Sequence, residues 1–237
     1  ADGKIKLLTL SPEYDGAAEF IAKVAKTGVL VAIGHTQANS DQIKAAVDAG
    51  ARMSTHLGNG AHPIIRRHPN YIWDQLAEDR LTASLIADGH HLPPAVVKAM
   101  VRAKTPARCV LVSDITGMGG MPPGRYQTGL GELEVLENGK LVPAGQPDIL
   151  AGASQPLDLC VANAIRFAGL DLKTAIEMAS QTPARLIGEP ADGLEAGAAA
   201  NLFLFKPPAD DSGPLKVVQT VLQGEPVFSI AGGRQER

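Results

Sequence analysis

One pattern dominates the first half of the chain: a short apolar run, then a segment of helical spacing, then a break at glycine or proline. The apolar runs start near residues 5, 29, 52, 82 and 108, a repeat of 23 to 30 residues. Between the first two, Ala17, Phe20, Ile21 and Val24 fall at helical spacing before Gly28. Helices are likewise predicted over 41–49, stopped by Gly50, over 71–78, and over 93–104 with Pro93 at its start. Apolar strands alternating with amphipathic helices predict βαβ units and a parallel sheet covered on both faces. A doubly wound sheet and a (β/α)8 barrel both answer that description. No Gly-x-Gly-x-x-Gly follows a strand and no Gly-x4-Gly-Lys-Ser/Thr occurs, which removes the main support for a nucleotide-binding sheet.

After Asp114 the texture changes. A Gly/Met/Pro loop over 117–124 leads into an expected β-hairpin over 126–142 that turns at Asn138-Gly139. Helices over 156–167 and 172–186 follow, then strands over 201–206 and 217–228 separated by a Pro/Asp/Ser/Gly loop. Residues 114–188 leave room for three further, compressed strand–helix pieces. Composition narrows the partners: 22 basic against 25 acidic residues, with no basic run, argues against nucleic acid and anionic membrane surfaces. No stretch approaches the roughly 18 apolar residues of a membrane span. Cys109 and Cys160 both lie in apolar segments, the pattern of reduced, buried thiols in a cytoplasmic protein.

All six histidines fall between residues 35 and 91. His35, His56 and the His90-His91 pair each follow an apolar run directly, and Asp114 ends the fifth run in the same way. In a parallel barrel every strand delivers its C-terminal end to one face, where the chemistry is done. A single histidine at a strand end more often caps or hydrogen-bonds than coordinates. Three successive strands ending in histidine and a later one in aspartate point instead to metal-dependent hydrolysis. Neutral imidazoles suit zinc, and a nearby carboxylate can take a proton from an acidified water.

Val31-Ala-Ile-Gly-His35-Thr, Ser54-Thr-His56-Leu-Gly-Asn59, Ile86-Ala-Asp-Gly-His-His91, Leu111-Val-Ser-Asp114 and Leu150-Ala-Gly-Ala-Ser154, in that order, resemble the N-acetylglucosamine-6-phosphate deacetylases of the amidohydrolase superfamily. Thr9-Leu-Ser-Pro-Glu13 resembles that family's fourth barrel strand, and the segments over 182–188 and 193–202 its last barrel helix and its return to a small β-domain. The resemblance implies His35 and His56 as metal ligands and Asp114 as the general base. It implies Asn59, the backbone of Gly60, Arg67 (or its neighbour Arg66) and His91 as substrate contacts. Guanidinium suits that place because its fork matches phosphate oxygens. His62 and His68 read as loop residues near the mouth of the site, and His90 is given no role. Glu13 is not read as a ligand, because the family's metal-binding glutamate sits in an earlier Leu-Glu-Gly-Pro motif that is absent here.

The expected activity is removal of the acetyl group from N-acetylglucosamine 6-phosphate with a divalent metal, Zn2+ or else Fe2+, in a cytoplasmic homodimer. Gly58 stands where the family usually has a bulky residue, and Gly60 and Ala61 are also small, so another acyl group or sugar is open. Other readings are an amidohydrolase acting on an N-acyl-amino acid or cyclic amide, and a catalytically incompetent fragment or binding module. The expected fold is a (β/α)8 TIM-type barrel over 1–190 lacking its first strands, with the remnant of a small β-sandwich domain over 191–237. The opening Ala-Asp-Gly-Lys, without Met or signal-peptide pattern, agrees with a C-terminal part of a longer deacetylase.

Overall fold

The computed structural model describes residues 2–129, 131–191, 193–207 and 213–230. The apolar runs form five parallel strands, β1 (Leu7–Leu10), β2 (Leu30–Ile33), β3 (Ala51–Ser54), β4 (Thr82–Leu85) and β5 (Cys109–Leu111). They are hydrogen-bonded in sequence order, 1-2-3-4-5. A doubly wound sheet reverses its order partway, and this one does not. Helices α1 (Ala17–Ala25), α2 (Ser40–Ala49), α3 (Tyr71–Ala77) and α4 (Pro94–Lys104) make the crossovers. Local chemistry sets their ends: Asn39 and Gln42 form a reciprocal capping box at the start of α2, and Gly50, at φ 121°, turns the chain out of it. At the end of α3, the fully buried Lys104 reaches over from α4 to donate to the Glu78 carbonyl at 2.6 Å.

The register divides the strand residues between two faces. Val31, Ile33 and Ala51 pack against Ile21 of α1 and Ile43, Ala46 and Val47 of α2. Ala83, Leu85, Cys109 and Leu111 pack against Val97, Met100 and Val101 of α4 and against the later helices α5 (Leu157–Ala168) and α6 (Leu172–Ala179). The alternate residues Thr9, Ala32, Met53, Thr82, Ser84 and Val110 share the other face. The expectation of helices on both faces is therefore corrected: both core clusters take residues from one face of the sheet. The opposite face is buried yet small and partly polar, so the strands read as apolar runs without a second helical layer.

Among the described residues no sixth parallel strand joins this sheet; one isolated parallel bridge links Ile115 to Ala153. The three compressed strand–helix pieces are thus not found, since α5, α6 and α7 (Gln181–Leu186) follow one another without intervening strands. The helix expected over 172–186 is two helices parted at Ser180. The hairpin gains a strand: β6 (Gly124–Thr128), β7 (Gly131–Val135) and β8 (Leu141–Pro143) form an antiparallel sheet. Asn138 and Gly139 lie in the β7–β8 connection.

The final run is also two strands, β10 (Lys216–Leu222) and β11 (Glu225–Ser229), folded back at Gln223-Gly224, whose φ values are 51° and 87°. With β9 (Leu202–Lys206) they make a second antiparallel sheet in the order 11-10-9. Residues 208–212 of the Pro/Asp/Ser/Gly loop lie outside the described residues. Leu215 and Phe205 bring this end of the chain onto the larger core. No helix among the described residues is long and apolar enough to cross a membrane.

Candidate active site

The C-terminal ends of β2 and β3 deliver two imidazoles to one point. His35 and His56 face each other edge to face, with their Nε2 atoms 2.9 Å apart. Both residues have positive φ, 49° and 30°, as does Asp114 at 52°. A non-glycine residue there costs about 1–2 kcal/mol, so something must hold it. For His56 the holder is Ser84 on β4, whose hydroxyl accepts from the His56 backbone N–H at 2.7 Å and donates to the Ser54 carbonyl at 3.1 Å. Beneath the pair, the Thr9 and Thr55 hydroxyls meet at 2.9 Å. Gly34 lets them meet: a Cβ there would stand 2.6 Å from Thr9 Cγ2 and 2.9 Å from Thr55 Cβ.

Burial pushes the His56 imidazole below its ordinary pKa and His35 adds to the effect, against an upward pull from the Asp114 carboxylate. Neutral imidazole is the form that coordinates a metal. In a tetrahedral zinc site with Zn–N bonds of 2.0–2.1 Å, two such nitrogens stand about 3.4 Å apart. The pair therefore fits two positions of a divalent ion after opening by about 0.5 Å. Among the described residues no group of three His, Cys, Asp or Glu is arranged to hold a metal. The described donor set is thus two nitrogens, short of the three protein ligands usual in catalytic zinc sites.

A cleft beside the pair is lined by His35, Thr36, Asn59, Gly60, Tyr71 and Gln75 among others. The Asn59 backbone N–H donates to the His56 carbonyl at 2.8 Å, while its side-chain Nδ2 is buried without a partner. Gly60, at φ 63°, lies directly against His35: a Cβ there would be 2.7 Å from the ring Nδ1. A Cβ on Gly58 would meet Met100 and Leu92 instead. Smallness at residue 58 therefore relieves the core.

The other expected residues are placed more loosely. Asp114 is exposed at the end of β5 and acts on His56 electrostatically. His91 is engaged by Asp88, Nδ1 to Oδ2 at 2.7 Å, and the second carboxylate oxygen accepts from the His90 and His91 backbone N–H groups. Burial works to raise the Asp88 pKa, but these bonds outweigh it and hold the carboxyl below its ordinary range. Arg66 and Arg67 are exposed on the loop before α3, where their carbonyls accept from Asn70 Nδ2. Their guanidinium groups are not part of the cleft lining. His62 Nδ1 meets the Tyr71 hydroxyl at 3.1 Å, and His68 is exposed.

Sequence reasoning missed Ser84, Asp88 and Tyr71. Asp88-Gly89 carried a usable signal, because Asp-Gly after a strand favours the turn in which Asp accepts from the next backbone N–H groups. Nothing local marks Ser84, which is one small residue in a buried strand.

A sequentially ordered parallel sheet with paired imidazoles at its strand ends defines the class of site, and the family comparison agrees with it. Residues 8–227 match the model of the amidohydrolase family, and the chain belongs to that family. It is 36% identical over 225 residues to the N-acetylgalactosamine-6-phosphate deacetylase of Escherichia coli O157:H7, a match covering 93% of this chain and 56% of that protein. The N-acetylglucosamine-6-phosphate deacetylase of Bos taurus is 34% identical, covering 97% of this chain and 56% of its own length. The crystal structure of the N-acetyl-D-glucosamine-6-phosphate deacetylase of Mycobacterium smegmatis superposes with a TM-score of 0.85 at 35% identity, over 96% of this chain and 59% of that one. The chain thus spans little more than half the length of the relatives it matches.

Proposed function

We propose that this chain carries the imidazole half of a deacetylase site for N-acetylglucosamine 6-phosphate. One observation carries the reading: the Nε2 atoms of His35 and His56 converge to 2.9 Å at the ends of neighbouring parallel strands. The five sequentially ordered strands, with their helices on one face, are read as an arc of a (β/α)8 barrel. Residues 1–190 make that barrel part, and 191–237 the strands of a small β-domain. His35 and His56 would hold the metal, Zn2+ or Fe2+, which when bound would supply Lewis acidity that makes water a better acid near neutral pH.

The remaining work belongs to the chain's own side chains. The Asp114 carboxylate accepts a proton from the attacking water and returns it to the departing amine nitrogen. The Asn59 side chain and the backbone of Gly60 orient the sugar phosphate. Arg67 supplies the cation for the phosphate. His91, fixed by Asp88 through Nδ1, presents its Nε2 to the sugar. A homodimer is carried over from the family resemblance alone. Two buried free thiols support a cytoplasmic setting.

The test measures zinc and iron per chain by elemental analysis, and acetate release from the 6-phosphates of N-acetylglucosamine and N-acetylgalactosamine and from unphosphorylated N-acetylglucosamine. Expected are about one metal per chain, lost in the His35→Ala/His56→Ala double variant, and release that requires phosphate and fails in Asp114→Asn. The Arg67→Ala change should raise KM for the phosphorylated sugars alone. Metal retained in the double variant, or release indifferent to Asp114, overturns the reading.

A further inference from the structure

His35 keeps a left-handed backbone, φ 49°, in an exposed loop, and its neighbours show what holds it there. The Ser11 hydroxyl, on the segment leaving β1, donates to the His35 carbonyl at 2.8 Å. Two residues on, the Glu13 carboxylate accepts from the Thr36 hydroxyl at 2.5 Å through Oε2 and from the Gln37 backbone N–H at 3.0 Å through Oε1. Thr36 Oγ1 in turn accepts from the Ala38 N–H at 2.9 Å. Thr36 is buried, and so is Ala38. Glu13 Oε2 is thus engaged by Thr36, and Oε1 by Gln37 and, at 3.1 Å, by the Ser11 hydroxyl, so the carboxylate ties the segment after β1 to the two residues that follow His35.

We propose that Glu13 is a positioning residue for His35: it anchors residues 36 and 37, fixes the strained backbone before them, and so aims the imidazole at His56. The metal arm of this inference rests on the proposed function; the aiming of the ring does not. Groups that orient a metal-binding histidine commonly change metal affinity by 10–100-fold when removed.

The experiment compares the whole chain with its Glu13→Ala, Glu13→Gln and His35→Ala variants and with Asp171→Ala. Asp171 caps α6 through the Thr174 N–H, so its loss costs stability away from the pair. Two readouts are taken: Zn2+ affinity by competition with a chelator, and the imidazole nitrogen signals of the metal-free chain by NMR.

Glu13→Ala is expected to shift the His35 ring signals and to weaken zinc at least tenfold. Glu13→Gln, which keeps one acceptor oxygen, should fall in between, and Asp171→Ala should move neither readout. Wild-type ring signals in Glu13→Ala, or zinc affinity within twofold of wild type while His35→Ala abolishes binding, overturns the proposal. If His35→Ala leaves zinc binding unchanged, the metal reading fails and the ring signals alone decide the role of Glu13.

Discussion

Replacing Gly60 with alanine should unseat His35. The added Cβ would lie 2.7 Å from the ring Nδ1, 3.0 Å from Cε1 and 3.3 Å from Cγ, against the 3.4 Å at which ordinary contact begins. The ring must therefore give way by about 0.7 Å, because close approach of bonded carbon to ring atoms is repulsive well before that point. Metal–ligand distances tolerate about 0.2 Å, so zinc affinity should fall at least tenfold, equivalent to about 1.4 kcal/mol. The left-handed backbone at φ 63° adds a global cost of about 1–2 kcal/mol and a Tm lower by about 2–8 °C. Gly58→Ala is the matched control: its φ is 90°, but its Cβ would press on Met100 at 3.0 Å and Leu92 at 3.1 Å. Chelator competition and thermal unfolding on both variants separate the effects. Gly58→Ala should lose stability and keep zinc, whereas Gly60→Ala should lose both. Equal zinc affinity in the two variants refutes the argument that Gly60 is there to seat the ring.

Three further outcomes follow from the same structure. Ser84→Ala leaves the His56 N–H buried without an acceptor and should cost about 1–3 kcal/mol by urea denaturation, with the pair disturbed in NMR. Burial pushes both cysteine thiols up to about 12, so neither should react with a thiol reagent at pH 8 until the chain is unfolded. The Glu78 carboxyl is held at about 2, below its ordinary 4.5, chiefly by its bond to Arg80. A depressed carboxylate stabilises fully above the unfolded value and loses that contribution as pH falls. The stability gap between wild type and Glu78→Gln should therefore shrink from pH 4.5 toward 2, and stay under about 1 kcal/mol throughout because the pair is partly exposed.

The parallel core was readable because most of its strands are short apolar runs closed by a polar residue, with β3, Ala51-Arg-Met-Ser, the least obvious, and that punctuation also marks where His35, His56 and Asp114 leave the sheet. Sequence reading failed where a decision depends on a partner elsewhere. Apolar strands look alike whether the far face meets a second helical layer or small side chains such as Ala32 and Ser84. Residues 217–228 form an unbroken β-prone stretch apart from Gln223-Gly224, and only the pairing of β10 with β11 reveals that turn. In the site, the family resemblance suggested His91 as a substrate contact without showing that its Nδ1 is engaged by Asp88. Arg67 fits a count along the loop, yet a loop tied at its carbonyls by Asn70 leaves the guanidinium direction undetermined by sequence. Glu13 was considered only as a ligand; its actual bonds, to Thr36 and Gln37, come from a strand pairing that brings residue 13 beside residue 36.

Sequential strand order also has a consequence for how the chain comes to life at the ribosome. His35 and His56 are separated by 21 positions, and the β1–β2 partners, such as Leu7 and Leu30, by a similar stretch. The entropic cost of closing loops of this size grows only with the logarithm of their length. The groups that bond to or pack against the imidazole pair, from Thr9, Ser11 and Glu13 through Gly34, Thr55 and Gly60 to Ser84, all lie between residues 9 and 84, and only the electrostatic pull of Asp114 comes from later in the chain. The two histidines can accordingly meet on the nascent chain while both antiparallel sheets are still unsynthesised.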